Sequence, residues 1–242
     1  MSASNKQRLD KELLRRGLVS SRSQAEDIIR RGFVSVRGVV ATKAGFIIDQ
    51  ETPIEVKSRV SFVSRAGEKL HSVVEALNLD FQDKVVLDVG SSTGGFTELA
   101  LRGGAKKVIA VDVGTDQMHV RLRNDPHVEL HEKTDIRSFA TDHKIDMVVA
   151  DVSFISLREI LPHVAQLCSK ETQIIVMVKP QFESGAELKH KGVIKNDSMR
   201  RNILKDFEIW TQKLFKVIKK ADSKVAGAKG NRERFYVLAK LN

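Results

Sequence analysis

Lys69, Asp151, Lys179 and Glu233 are the residues of this chain best placed to do chemistry, because each sits at or beside the end of an apolar run. Asp151 follows such a run in VVADVSF and Lys179 another in VMVKPQF, and runs of this kind form buried strands that aim their ends at a crevice. Lys69 stands in SRAGEKL and Glu233 in GNRERFYVL. A charged group at such a place must be paired or functional, since unpaired burial is costly. Two amines and two carboxylates fit either a proton-handling set or a structural ion network, and spacing alone leaves both open.

A second constellation is VVLDVGSSTGGFT, residues 85–97, where a buried-strand pattern ends in an acid and opens onto glycines. A later strand, VIAVDVG, ends in Asp112. Glycines let backbone approach a ligand closely, and an acid at the next strand end can accept hydrogen bonds from a ribose diol. The spacing Gly90-x-x-x-Gly94-Gly95 is not the G-x-G-x-x-G of dinucleotide enzymes, which disfavours a nicotinamide cofactor. A nucleoside cofactor without phosphate, such as S-adenosylmethionine, suits the loop better. A glycine-rich turn can also be mere punctuation; Asp112 weighs against that.

The elements that must position these residues alternate from residue 61 onward. SRAGEKLHSVVEALNL places Leu70, Val73, Val74 and Leu77 at helical spacing, with Lys69 at the edge of the buried face. The strand VVLDVG, a helix from about Gly94, the strand VIAVDVG, a weak strand VEL, the strand in DMVVADVSF, a helix from Leu157 and the strand in QIIVMVKPQF follow. This order predicts an α/β fold with an open, mostly parallel, doubly wound Rossmann-like sheet that binds ligands beyond its carboxyl ends. A helix over about 199–214 and a closing hairpin, FKVIKKADSKV with RERFYVLAKL, complete it. Ser184 to Ser198 reads either as a mobile loop over the site or as simple surface linkage.

Residues 1–60 form a separate, small α+β module. Leu9, Leu13 and Leu14 lie at helical spacing before Gly17, and Ser21 with Gln24 is a capping-box pattern opening a helix with Ala25, Ile28 and Ile29 on its apolar face. FVSVRGVVATKAG then alternates as short strands about Arg37-Gly38. Arg8, Arg15, Arg16, Arg22, Arg30, Arg31 and Arg37 cluster at helix ends and the turn, where guanidinium forks can take phosphates.

The net charge of +10 is uneven: +5 over residues 1–60, −3 over 61–180 and +8 over 181–242. Basic ends around a mildly acidic middle fit a polyanion held at the periphery and a cationic cofactor at the centre, although many surface lysines serve only solubility. A single cysteine, Cys168, excludes an internal disulfide framework, suits a packing role in ILPHVAQLC and fits a cytoplasmic protein. No apolar run reaches membrane-spanning length, so membrane insertion is not expected. His127 and His131 in HVELHEK lack the order of a helical zinc motif, and no G-x-S-x-G turn supports a serine nucleophile.

From Arg8 to Gly38 the chain resembles an S4 RNA-binding domain, following RLD...L...G...SR..A...I..G.V.V.G. The remainder resembles the FtsJ/RrmJ-type ribose 2′-O-methyltransferases, and the two-domain order, residues 1–60 then 61–242, resembles the TlyA (haemolysin A) family. VSRAGEKL, LDVGSSTGGFTELAL, AVDVG, DVSFISL, VKPQFE and GNRERF carry this likeness over nearly the whole chain. The resemblance implies a catalytic tetrad at Lys69, Asp151, Lys179 and Glu233, methyl transfer from S-adenosyl-L-methionine to a cytidine ribose, and ribosomal RNA or ribosomal subunits as partners. It also implies that Asp88, Gly90, Ser92, Thr93, Gly94 and Gly95 line the methionine end of the cofactor, Asp112 the ribose and Asp135 the adenine amine. Asp135 stands where many relatives carry Asn, and Ala66 where they carry a second glycine. Lys179 as a neutral amine is the expected base, with the two acids orienting the lysines. The rival readings are a non-catalytic RNA-binding or assembly factor and a haemolysin in the literal sense.

Overall fold

The computed structural model describes residues 6–19, 21–56, 62–184, 193–194, 196–227 and 230–241. The chain divides into two compact units, Met1–Ser61 and Phe62–Asn242.

In the first unit, β1 (Lys6–Arg8) runs directly into α1 (Leu9–Arg15), and α2 (Arg22–Arg30) follows. The strands β2 (Val34–Val36), β3 (Val39–Ala41), β4 (Ile47–Asp49) and β5 (Ile54–Val56) complete it, with β1 antiparallel to β4 and a separate sheet in the order β3-β2-β5. Ser21 caps α2 by accepting from Gln24 N at 3.2 Å, as the capping pattern predicts. Arg37 and Gly38 both take positive φ, 51° and 77°, the hairpin turn that matches strand twist. Leu9, Leu13, Ala25, Ile29, Val34 and Ile48 form the core. Leu14 does not join it: the residue next to a buried one on a helix is turned away by about 100°, and Leu14 faces solvent. Strand β1 had no signal of its own in the sequence.

The second unit contains α3 (Arg65–His71), α4 (Val74–Leu77), β6 (Val85–Val89), α5 (Gly95–Arg102), β7 (Lys107–Val111), α6 (Val120–Arg123) and β8 (Val128–His131). It continues through β9 (Met147–Ala150), α7 (Leu157–Leu167), β10 (Gln173–Val178), α8 (Pro180–Glu183), α9 (Asp197–Thr211), β11 (Phe215–Asp222) and β12 (Arg234–Lys240). The seven strands lie in the order β11-β12-β10-β9-β6-β7-β8. Strands β10, β9, β6, β7 and β8 are mutually parallel, whereas β12 runs antiparallel to both β10 and β11. The α/β architecture expected from the sequence is therefore present.

Period-two alternation gives the sheet two buried faces. Leu87, Val89, Ile109, Val148, Ile174 and Val176 face the layer built on Ile160, Leu161, Leu204 and Phe207. Val86, Val108, Val149, Ile175, Met177 and Phe235 face Leu70, Phe96 and Leu99. Packing outweighs local propensity in α7, which contains Pro162. An interior proline costs about 3 kcal/mol, while each of the buried residues Leu157, Ile160, Leu161 and Val164 contributes about 1.5–3 kcal/mol.

The single helix expected over residues 64–79 is broken into α3 and α4. Ser72 Oγ donates to Lys69 O at 2.6 Å, a local bond that competes with the helical ladder. The break leaves Leu70, Val73 and Leu77 buried. Of the loop expected over residues 184–198, positions 185–192 and 195 lie outside the described residues. Asn196 accepts from Ser198 N and Met199 N and so starts α9.

Candidate active site

The carboxyl ends of β6, β9 and β10 and the start of β12 form one rim of the sheet. In the β10–β12 pair Val178 faces Arg234, so the next step of that antiparallel register brings Lys179 abreast of Glu233. On the other side β9 delivers Asp151 beside β10. Lys179 Nζ lies 2.6 Å from Asp151 Oδ1 as an ion pair and donates a hydrogen bond to Ser153 Oγ at 2.7 Å. Lys69, from α3, donates to Glu233 Oε1 at 2.9 Å, and both side chains are nearly inaccessible. Glu233 Oε2 is buried with no hydrogen-bond partner among the described residues. The four charged residues singled out by sequence thus form two ion pairs that adjoin through the β10–β12 register.

Lys69 is held by its helix, and its helix by two neighbours. A Cβ on Gly67 would come 2.8 Å from Gly95 O, so α3 and the start of α5 touch backbone to backbone. On the other flank Lys224 N donates to Ser72 Oγ at 3.1 Å and Arg65 Nη2 donates to Ala226 O, which ties α3 to the segment leading into β12. A Cβ on Gly227 would lie 2.6 Å from Glu233 Oε1.

The glycine loop lies alongside. Gly90, with φ 79°, crosses so close to β9 that a Cβ would meet Asp151 O at 2.7 Å. Asp112 accepts Ser92 N at 2.8 Å with Oδ2 and Gly114 N at 2.6 Å with Oδ1. A carboxylate has roughly four lone-pair directions, so two remain for hydroxyl donors. Ser92 is exposed and Thr93 half-buried, whereas Gly94 and Gly95 are buried against α6 and α3. Asp88 is fully buried beneath the loop: Thr97 Oγ1 donates to Oδ2 at 2.6 Å and Oδ1 has no partner among the described residues. Burial pushes its carboxyl up to about 7, against the Thr97 hydrogen bond. Asp135 is engaged by Arg137, whose Nη2 lies 2.6 Å from Oδ2, and that bond holds its carboxyl below the ordinary range.

One residue of this rim had no signal in the sequence. Phe154, in the turn after Asp151, has φ 67° and is 89% exposed, with its ring 5.4 Å from that of Phe182. A bulky residue in the left-handed region is strained, and strain of this kind gathers at functional sites. The Phe182 ring also lies 5.9 Å below Lys179 Nζ. Elsewhere, His131 pairs with Glu129 and His127 with Asp125, and no metal-holding cluster occurs among the described residues. Cys168 is buried, which pushes its thiol up to about 11.

The arginines of the first unit meet acids. Arg8 and Arg22 flank Asp10, Arg15 and Arg16 flank Glu12, and Arg30 and Arg31 flank Asp27. Arg37 is exposed in its turn.

Residues 62–241 match the FtsJ-like methyltransferase family model, and residues 7–54 match the S4 domain. The chain belongs to the FtsJ-like methyltransferase family. Within this family setting it is 41% identical over 204 residues to the 16S/23S rRNA (cytidine-2′-O)-methyltransferase TlyA of Mycobacterium tuberculosis, covering 81% of this chain and 76% of that protein. It is 37% identical over 235 residues to Hemolysin A of Brachyspira hyodysenteriae, covering 93% and 97%. A solved structure of a hemolysin candidate from Streptococcus thermophilus superposes with a TM-score of 0.76 at 35% identity, covering 99% of this FtsJ-like chain and 90% of that one.

Proposed function

We propose that the chain transfers a methyl group from S-adenosylmethionine to the ribose 2′-hydroxyl of a cytidine in ribosomal RNA, with its S4 unit gripping the RNA. The observation that carries this reading is the adjoining of the Lys179–Asp151 and Lys69–Glu233 pairs beside the Gly90 loop. The 41% identity to a 16S/23S rRNA (cytidine-2′-O)-methyltransferase supports the target class.

The loop suits a nucleoside cofactor, because Gly90 leaves no room for a side chain and Asp112 keeps acceptor capacity. Gly90, Ser92 and Thr93 would hold the methionine end, Asp112 the ribose and Asp135 the adenine amine. Bound there, S-adenosylmethionine supplies an electrophilic methyl group on a sulfonium. A ribose hydroxyl is a poor nucleophile until its proton leaves, and Lys179 Nζ, once it has released one of its own protons to solvent and become a neutral amine, is the acceptor assigned to that proton. Asp151 and Ser153 fix that nitrogen from two sides, and Glu233 fixes Lys69 next to it. Most of the acceleration then comes from alignment with water excluded. Phe154 offers a face on which a base can stack.

One relative carries the name Hemolysin A, yet no helix among the described residues is long and apolar enough to cross a membrane. The deciding experiment incubates the purified chain with methyl-labelled cofactor and separated ribosomal subunits, then maps the label. Label on a cytidine ribose is expected; label on a base, or none on either subunit, overturns the reading.

A further inference from the structure

Two of the acids beneath the arginines of the first unit, Asp10 and Glu12, are placed as supports. Asp10 is fully buried and accepts four N–H groups: Arg8 Nε and Nη2, Arg22 Nη2 and Lys11 N, each at 3.0 Å. Glu12 is also fully buried and accepts Arg15 Nε at 2.8 Å, Arg15 Nη2 at 2.6 Å, Arg16 Nε at 2.6 Å and Gln7 Nε2. Bonds from Arg8 and Arg15, respectively, hold these carboxyls down to about 2, so both are charged at any working pH.

A guanidinium has five N–H groups in a rigid fork. Arg8 and Arg15 spend the Nε side of that fork on the acid, which leaves the opposite Nη edge pointing away from it. Arg15 and Arg22 are exposed and Arg8 is half-exposed beside Gly45, so these three side chains meet solvent. Arg16 differs, since its Nη2 turns inward to Gln50 O and to Thr52 O at 2.9 Å. Arg31 also lies inward, its guanidinium 4.8 Å over the Phe33 ring. The arginines singled out in the first unit therefore divide into outward and inward members.

We infer that Asp10 and Glu12 are positioning residues for RNA: buried anions that hold Arg8, Arg22 and Arg15 with their free edges outward, so that phosphates meet side chains already in their bound geometry. This rests on the reading that the first unit binds RNA. Freezing a long side chain on binding costs free energy that a preset arginine avoids. The inference has a sign that simple charge counting reverses, because removing an anion from a phosphate-binding face should otherwise strengthen binding.

The test measures the full chain methylating purified large and small ribosomal subunits, with KM for the subunit and kcat read separately. Asp10→Asn is expected to raise KM about tenfold with kcat unchanged, although the chain has become more positive. Arg22→Lys keeps the charge without the fork and should raise KM similarly, whereas Asp10→Glu should recover part of the loss. Unchanged or lower KM in Asp10→Asn, with Arg22→Ala raising KM, overturns the positioning role and leaves RNA binding by the arginines standing. No change in KM for Arg8→Ala, Arg15→Ala and Arg22→Ala together overturns the RNA-binding reading itself. Should Asp10→Asn unfold the first unit, seen as loss of its amide-exchange protection, Arg22→Lys decides: unchanged KM there refutes the preset fork.

Discussion

Gly67 and Gly95 stand so close that a methyl group on the second would fall 2.7 Å from the backbone nitrogen of the first. That contact seats α3 on α5 and thereby sets how far Lys69 reaches toward Glu233. Gly95→Ala would also meet Ser64 Oγ at 2.3 Å, so α3 must retreat. The expected result is a loss of about 1–3 kcal/mol of stability from overpacking, with a larger proportional loss of kcat than of cofactor affinity. Denaturant unfolding and calorimetry with S-adenosylmethionine check the two halves.

Lys179, the residue that follows β10, touches Asp151 and Ser153. Lys179→Arg puts a permanent cation where a lysine amine can shed its proton, and so removes the proposed proton acceptor. Methyl transfer should fall by about 10²–10⁴ while cofactor binding persists. Wild-type turnover in this variant would show that the proton leaves by another route.

Phe154 is strained by its positive φ and is exposed. Phe154→Gly should relieve about 1 kcal/mol of backbone strain and raise the melting temperature while lowering kcat/KM on ribosomal subunits by about 5- to 100-fold through lost stacking. Phe154→Trp should keep most of the activity. A glycine variant as active as the parent would leave the exposed ring without a role.

Asp88 gives the second unit a pH dependence with a definite sign. Its carboxyl rises from an ordinary 3.8 to about 7 in the folded protein, so between those values the native state holds a proton that the unfolded chain releases. Stability should therefore fall as pH rises through that window, by up to roughly 4 kcal/mol. Asp88→Asn should flatten the slope, measured by denaturant unfolding at several pH values. Asp10 and Glu12, held down to about 2, act the opposite way and weaken the first unit only as pH falls below about 4.

Much of this site was readable in advance because strand runs advertise their own ends. The apolar stretches before Asp151 and Lys179 fix both the element and the direction in which the next residue points. Pairing was not readable in the same way: Lys69 and Glu233 are 164 positions apart, and their contact depends on β12 entering between β10 and β11 against the direction of its neighbour. Local composition carries no information on such an insertion. Phe154 escaped because its side chain looks like core material, and only its backbone angle turns it outward. Ser72 likewise breaks a helix that the spacing of Leu70, Val73 and Leu77 would continue. Arginine positions were plain from the sequence, whereas their division into inward and outward members follows from buried acids.

The strand leading from Glu233 is the last of the sheet to be synthesised, yet it occupies an interior position between β10 and β11. A nascent chain that has delivered everything through β11 still has an unfilled gap in its sheet and a Lys69 lacking its counter-ion. Messages cut short before β12 would yield polypeptides with a glycine loop but without the Lys69–Glu233 pair. Translation order thus withholds the Lys69–Glu233 contact until β12 has been made.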